Sequence, residues 1–205
     1  MTRPPRDTDP LLVPENFIRA VRESGYVSLS TALAELIDNS LQAGANTIDI
    51  TINRSESSAL PRITVEDDGS GMTKEELTTC LRFGGSSRFD SRASFGRFGM
   101  GLPTASLSQA RHIEVTTWQI GAPARAVSLN VDAVANGDIV SLVPRTATPG
   151  TSPSGCRVVW KECDRIEYRR LAWLERSLHR DLGRMFRRFL TCGLTLRING
   201  NTVEP

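Results

Sequence analysis

Four side chains stand at a spacing that brings them together: Glu35, Asp38, Asn39 and Gln42, at i, i+3, i+4 and i+7. On a helix they share one face, two carboxylates and two amides one above another. Leu33, Leu36, Ile37 and Leu41 form the apolar side on which such a helix would sit. Where the surrounding protein buries it, this polar stripe must be hydrogen-bonded, paired or holding an ion. Alone, the run Ala34–Ala45 is better read as an ordinary amphipathic surface helix, and two further stretches bear on the choice.

The first is Glu66-Asp67-Asp68-Gly69-Ser70-Gly71-Met72, entered from the alternating Ile63 and Val65. Two glycines one residue apart let backbone approach a ligand closely, beside a carboxylate at a strand end. A plain acidic turn has the same composition. The second is Phe95-Gly96-Arg97-Phe98-Gly99-Met100-Gly101-Leu102, ahead of a helical stretch from Thr104 to Leu107. Glycines before a helix N-terminus suit a phosphate, because free amides and the helix dipole both favour an anion. No Lys-Ser/Thr follows, so this is not a Walker loop, and the glycine spacing is not the dinucleotide fingerprint. Between the two lies Arg82 to Arg97, rich in Gly, Ser and Arg and including Ser86 and Ser87. Loops this long inside a compact domain are usually lids, binding loops or disordered.

The elements that must position these residues follow from period and punctuation. Glu15 to Glu23 reads as a short helix with Phe17, Ile18 and Val21 inward, ended by Gly25. Ser28 or Ser30 caps the central helix, and Gly44 closes it in the left-handed conformation. Ile48, Ile50 and Ile52 alternate as a half-buried strand, which pairs with the strand of Ile63 and Val65 as a hairpin. Thr73 to Glu76 is a capping box opening a helix with Leu77, Cys80 and Leu81 on its apolar face. Further strands are expected at Ile113–Thr117, Val127–Val131, Ile139–Val143 and Cys156–Trp160. From Ile166 to about Leu190 the pattern is one long amphipathic helix, with a break near Gly183. Its other face carries Arg169, Arg170, Arg176, Arg180, Arg184, Arg187 and Arg188, a row more often solvated than nucleic-acid-binding. Leu194, Leu196 and Ile198 make a last strand, turned by Asn199-Gly200-Asn201.

The totals bound these readings. The 205 residues suit one sizeable domain, placed at residues 15–205 behind a loose polar arm at residues 1–14. A net charge of +2 argues neither for nor against a polyanionic partner. The 4 cysteines form no CxxC pair, and with 2 histidines they make a zinc site unlikely on spacing grounds. No apolar run spans a membrane and no apolar signal core follows the N-terminus, so a reducing cytoplasm is expected.

Glu-Leu-Ile-Asp-Asn on a helix, Asp-Asp-Gly-Ser-Gly-Met after a strand and Gly-Arg-Phe-Gly-Met-Gly before a helix stand in one order, with a Ser/Gly lid between the last two. This order resembles the GHKL ATPase superfamily: DNA gyrase B, the ninety-kilodalton heat-shock chaperones, histidine kinases and MutL-type repair proteins. The runs Ala34–Ala45 and Ser94–Ser106 look most like its MORC and MutL members. The resemblance implies the Bergerat fold, an α/β (α+β) two-layer sandwich whose mixed, largely antiparallel sheet carries helices on one face. It implies ATP and Mg2+ as ligands. Glu35 would be the general base, Asn39 the Mg2+ ligand, and Asp38 and Gln42 part of the same wall. Asp67 would accept the adenine amino proton, with Gly69 and Gly71 beneath the base and Met72 beside it. Gly96, Gly99 and Gly101, with Met100 and Leu102 among them, would bring amides to the phosphates, and Ser86 and Ser87 would be lid contacts.

Two positions depart from the family pattern. Cys156 stands where many relatives have a Thr in the strand backing the adenine, and Pro103 where MORC-like relatives often have Lys. MutL and gyrase-type members also take a catalytic Lys from a following domain. Slow hydrolysis is therefore expected, from what reads as the N-terminal module of a longer protein. Nucleotide state would close the lid and drive homodimerisation. A non-hydrolysing ATP/ADP switch is the alternative, a histidine-kinase domain is disfavoured by the presence of Glu35, and DNA contact through residues 169–188 is compatible with the hydrolase reading.

Overall fold

The computed structural model describes residues 14–54, 60–83, 100–136, 138, 142–166 and 170–205. Ser86, Ser87, Gly96 and Gly99 therefore lie outside the described residues, as do residues 1–13 of the arm expected at 1–14, whose last residue, Pro14, opens a helix.

The chain opens with α1 (Pro14–Ser24) and α2 (Leu29–Gln42), then the hairpin β1 (Thr47–Arg54) and β2 (Pro61–Asp67). After α3 (Lys74–Thr79) come α4 (Gly101–Gln109), β3 (His112–Trp118), β4 (Arg125–Asn130) and the short α5 (Val131–Ala135). The remainder is β5 (Arg145–Thr146), β6 (Gly155–Lys161), α6 (Leu171–Met185), α7 (Arg187–Thr191), β7 (Thr195–Ile198) and β8 (Asn201–Thr202). The strands form one sheet in the order β5-β4-β3-β6-β2-β1-β7-β8. Every pairing is antiparallel except β1 with β7, so the sheet is mixed and largely antiparallel. With helices packed on one of its faces this is the two-layer Bergerat architecture.

Register explains which face is covered. Ile50, Val65, Val158, Val115 and Val127 lie side by side across five strands, and all are buried. Period-2 alternation sends these side chains to one face, where Leu33, Leu36 and Ile37 of α2, Leu107 of α4 and Leu174, Leu178 and Leu182 of α6 meet them. The opposite face is laced by cross-strand ion pairs: Arg157–Glu66 at 2.6 Å, Arg145–Glu114 at 2.7 Å and Arg197–Asp49 at 3.2 Å.

Four features differ from the periodicity reading. Val131 belongs to α5, because Asn130 accepts the amides of Asp132 and Ala133 and caps a helix where a strand was expected to continue. Of the strand expected at Ile139–Val143, residues 139–141 lie outside the described residues and Leu142 and Val143 are in no strand, while β5 falls at Arg145 and Thr146, inside the stretch read as loop. The long helix begins at Leu171 and breaks at Phe186, not Gly183. Gly183 stays helical and buried. It is small because the carbonyl oxygen of Glu204 occupies the place a Cβ would take. On α6 the exposed Arg176, Arg180 and Arg184 stand at i, i+4 and i+8 in one outward line.

Candidate functional site

The site is built around α2. Ser28 caps it, its hydroxyl accepting the Thr31 amide at 3.2 Å, and Gly44 leaves it at φ +76°. Of the polar stripe, Glu35 and Asn39 are half-buried, whereas Asp38 and Gln42 are exposed. Partial burial and then the charge of Glu35 hold the Asp38 carboxyl above the usual carboxylate range.

Glu35 lies between two elements. Its Oε2 accepts the Tyr26 hydroxyl at 2.9 Å. Its other oxygen, Oε1, rests against Gly101, the first residue of α4, so closely that a Cβ at Gly101 would overlap the carboxylate. A helix N-terminus favours a nearby negative charge. Met100 supplies no side-chain cap to α4, and Pro103 lacks an N–H. The amides of Gly101 and Leu102 donate to no described residue, as is usual for the first amides of a helix.

Three contacts aim α4. The Arg22 guanidinium donates to the carbonyls of Leu107 at 3.0 Å and Ala110 at 2.7 Å, at the C-terminal end, while pairing with Asp164 at 2.7 Å. Trp160 Nε1 donates to the buried Ser106 hydroxyl at 2.9 Å, tying the helix to the sheet. Gln109 Nε2 donates to the Tyr26 carbonyl at 2.9 Å, tying it to the turn before α2.

The second carboxylate, Asp67, ends β2 and is 8% exposed. Ser40 of α2 donates to its Oδ2 at 2.8 Å, and the amides of Gly69 and Cys156 donate to its Oδ1 at 3.0 and 3.2 Å. Burial pushes its carboxyl up, and these three hydrogen bonds oppose that rise. A carboxylate has about four acceptor positions, so three donors leave one open on Oδ2. In register with Asp67 lie Cys156 of β6 and then Thr117 of β3, a row at the sheet end directed to the helix side. Burial, with the Asp67 charge second, drives the Cys156 thiol well above its ordinary value, so it stays protonated.

The glycine loop is fitted between α2 and the sheet. Asp68 Oδ1 accepts the amides of Asn46 at 2.8 Å and Thr47 at 2.9 Å, and Ser70 N donates to the Ala43 carbonyl at 2.9 Å. A Cβ on Gly69 would come within 2.9 Å of Ala43 Cβ. Gly71 takes φ +69° with the Trp118 carbonyl oxygen where its Cβ would be. Met72 follows, half-buried, its amide donating to Thr117 Oγ1 at 2.7 Å.

The structure thus brings Glu35, Asn39, Asp67, Gly69, Gly71, Met72, Cys156 and Gly101 around α2, with Asp38 and Gln42 on its outer side. Three further residues take part. Ser40 carries a signal, a hydroxyl on the buried face one turn past Leu36. Thr117 carries another, as the polar end of the alternation Ile113, Val115, Thr117. Tyr26, in a turn, carries none.

A model of the family described as histidine kinase-, DNA gyrase B-, and HSP90-like ATPase matches residues 27–153. The DNA mismatch repair protein MutL of Colwellia psychrerythraea is 31% identical over 125 residues, 55% of this chain and 19% of that protein. MutL of Halobacterium salinarum is 28% identical over 127 residues, 60% of this chain and 18% of that protein. MutL of Rhodopseudomonas palustris is 28% identical over 145 residues, 68% of this chain and 23% of that protein. The chain therefore aligns with less than a quarter of the length of each of these curated relatives.

Proposed function

The chain belongs to the histidine kinase-, DNA gyrase B- and HSP90-like ATPase family, and from that premise we propose that residues 15–205 are one domain that binds ATP with Mg2+ and hydrolyses it slowly. The observation that carries the reading is Asp67: a buried carboxylate held by three donors, with one acceptor position left for the amino group of a base. A buried acceptor of that kind distinguishes adenine, which offers a donor, from guanine, which offers a carbonyl.

ATP, when bound, supplies the anhydride bond that water breaks. Within the chain, Met72 packs beside the base and the Gly69–Gly71 loop passes beneath it. The amides of Gly101 and Leu102 would hold phosphate oxygens, a role the family motif extends to Gly96 and Gly99. Asn39 offers one oxygen to Mg2+. Among the described residues no three His, Cys, Asp or Glu side chains form a metal cage, which suits a cation carried chiefly by phosphate oxygens and water. Glu35 Oε1, with no hydrogen-bond donor among the described residues, takes the proton of the attacking water. Positioning and charge stabilisation supply most of the acceleration.

Nucleotide binding orders the lid carrying Ser86 and Ser87 and promotes pairing of two copies. The exposed line Arg176, Arg180 and Arg184 is a second candidate surface, for DNA, and steep salt dependence of binding would mark it. Among the described residues no helix is long and apolar enough to cross a membrane.

The deciding experiment measures ATP binding and steady-state hydrolysis for the parent and Glu35→Ala. Binding by both with turnover only in the parent supports the reading. Binding by both with turnover by neither selects the non-hydrolysing switch, which Pro103 in the first turn of α4 favours. Absence of binding overturns both.

A further inference from the structure

The family motifs assign no role to Tyr26, yet it is the group that holds Glu35. Its hydroxyl donates to Glu35 Oε2 at 2.9 Å. That is a donor on one carboxylate oxygen, while the other, with no donor among the described residues, lies at the start of α4 in space that Gly101, lacking a Cβ, leaves to it. The tyrosine is itself fixed. Its carbonyl accepts from Gln109 Nε2 at 2.9 Å, and Gln109 is 2% exposed and further tied to Ser108 Oγ at 3.1 Å. The ring packs against the core, and the preceding helix is bolted to α4 by Arg22. Val27, the next residue, is 88% exposed, so this turn owes its fixed course to Tyr26 more than to the residue that follows.

Resting on the ATPase reading above, we propose that Tyr26 is a positioning residue: its hydroxyl orients the Glu35 carboxylate so that Oε1, the oxygen without a donor, faces the attacking water. A free glutamate on a helix rotates about three side-chain bonds and points its carboxylate correctly only part of the time. One hydrogen bond from a fixed ring removes most of that freedom and also decides which oxygen is left unoccupied. Burial and the neighbouring carboxylates push the Tyr26 hydroxyl up to about 12, so it remains a donor throughout the neutral range. The chain Gln109–Tyr26–Glu35 makes the direction of the base depend on the placement of α4, the helix whose N-terminus meets the phosphates in the proposed site. Base and phosphate donors are thereby set by one element.

The test compares Tyr26→Phe, which keeps the ring and removes only the hydroxyl, with the parent, Glu35→Gln and Val27→Ser, all as the 205-residue chain. Expected for Tyr26→Phe is a fall in kcat of about tenfold with KM for ATP within about twofold, because an orienting contact acts on the transition state and not on nucleotide binding. Val27→Ser should retain the parent kcat. A gain in KM matched by a loss of thermal stability would show the hydroxyl merely props the turn, and would overturn the proposal. So would an unchanged kcat in Tyr26→Phe while Glu35→Gln is inactive; that result leaves the ATPase reading standing. Turnover that persists in Glu35→Gln removes Glu35 as the base and this proposal with it; no turnover in the parent removes the ATPase reading as well.

Discussion

Asp67 and Glu35 are two carboxylates that meet the same helix and are held in opposite ways. Asp67 reaches α2 from the sheet, is nearly enclosed, and receives one hydroxyl and two backbone amides. Glu35 belongs to α2, is half-buried, and receives one hydroxyl from a described residue. A group that must present a fixed pattern of acceptors is best locked by backbone, which cannot rotate away. A group that must take up a proton needs one oxygen left without a donor. On the proposed reading the contrast separates recognition from chemistry inside a single pocket wall, and each half can then be disturbed without the other.

The largest effect is expected from Glu35→Ala. Hydrolysis should fall by at least about 100-fold with ATP binding retained, as steady-state turnover and calorimetric titration of the same samples would show. A parallel loss of binding would break the contrast. Asp67→Asn should do the reverse, costing about 2 kcal/mol of ATP affinity, because the amide turns an acceptor toward the amino group of the base into a competing donor. Discrimination against GTP should weaken in the same titrations. Gly71→Ala strikes the frame beneath the recognition half. It puts a Cβ at φ +69° onto the Trp118 carbonyl, and thermal or denaturant unfolding should show a loss of about 2 kcal/mol or more. Ser40→Ala removes one donor from Asp67 and should lower stability by about 1 kcal/mol while leaving the kcat of saturated enzyme near the parent value.

The smallest effect is a pH dependence. Burial raises the Asp67 carboxyl above its ordinary value, so the folded state holds that proton more tightly than the unfolded chain does. Its contribution therefore favours folding below the ordinary carboxylate range and is lost as pH rises through the raised folded value. Melting temperatures of the parent relative to Asp67→Asn should accordingly move in favour of the parent as pH is lowered from neutral to about 4.

Much of this arrangement is legible before any coordinates, and the reason lies in periodicity. The stripe on α2, the hairpin entered from Ile48 and left at Asp67, and the capping box at Thr73 are local patterns that bury one face. The sheet partners of Asp67 are less legible, because cross-strand register brings Cys156 to it from 89 residues away and no local pattern states that distance. Tyr26 is illegible for a related reason. It sits in a turn, where neither period applies, and its meaning depends on where α4 is placed. The helix break at Phe186 was expected at Gly183, a residue whose smallness answers to the Glu204 carbonyl and not to helix termination.

The parallel pairing of β1 with β7 bears on how the molecule is made. Thr47–Ile50 find their partners at Thr195–Ile198, 148 positions further along. On a ribosome α2 and the hairpin emerge well before β7, and the outer edge of β1 waits through those 148 positions before it is covered. Contacts of such long sequence separation slow folding, and an uncovered strand edge is open to pairing with other chains. The pocket around α2, which draws on residues from Glu35 to Cys156, is in place before β7 follows, so a nascent chain halted before Thr195 would display it on an open-edged sheet.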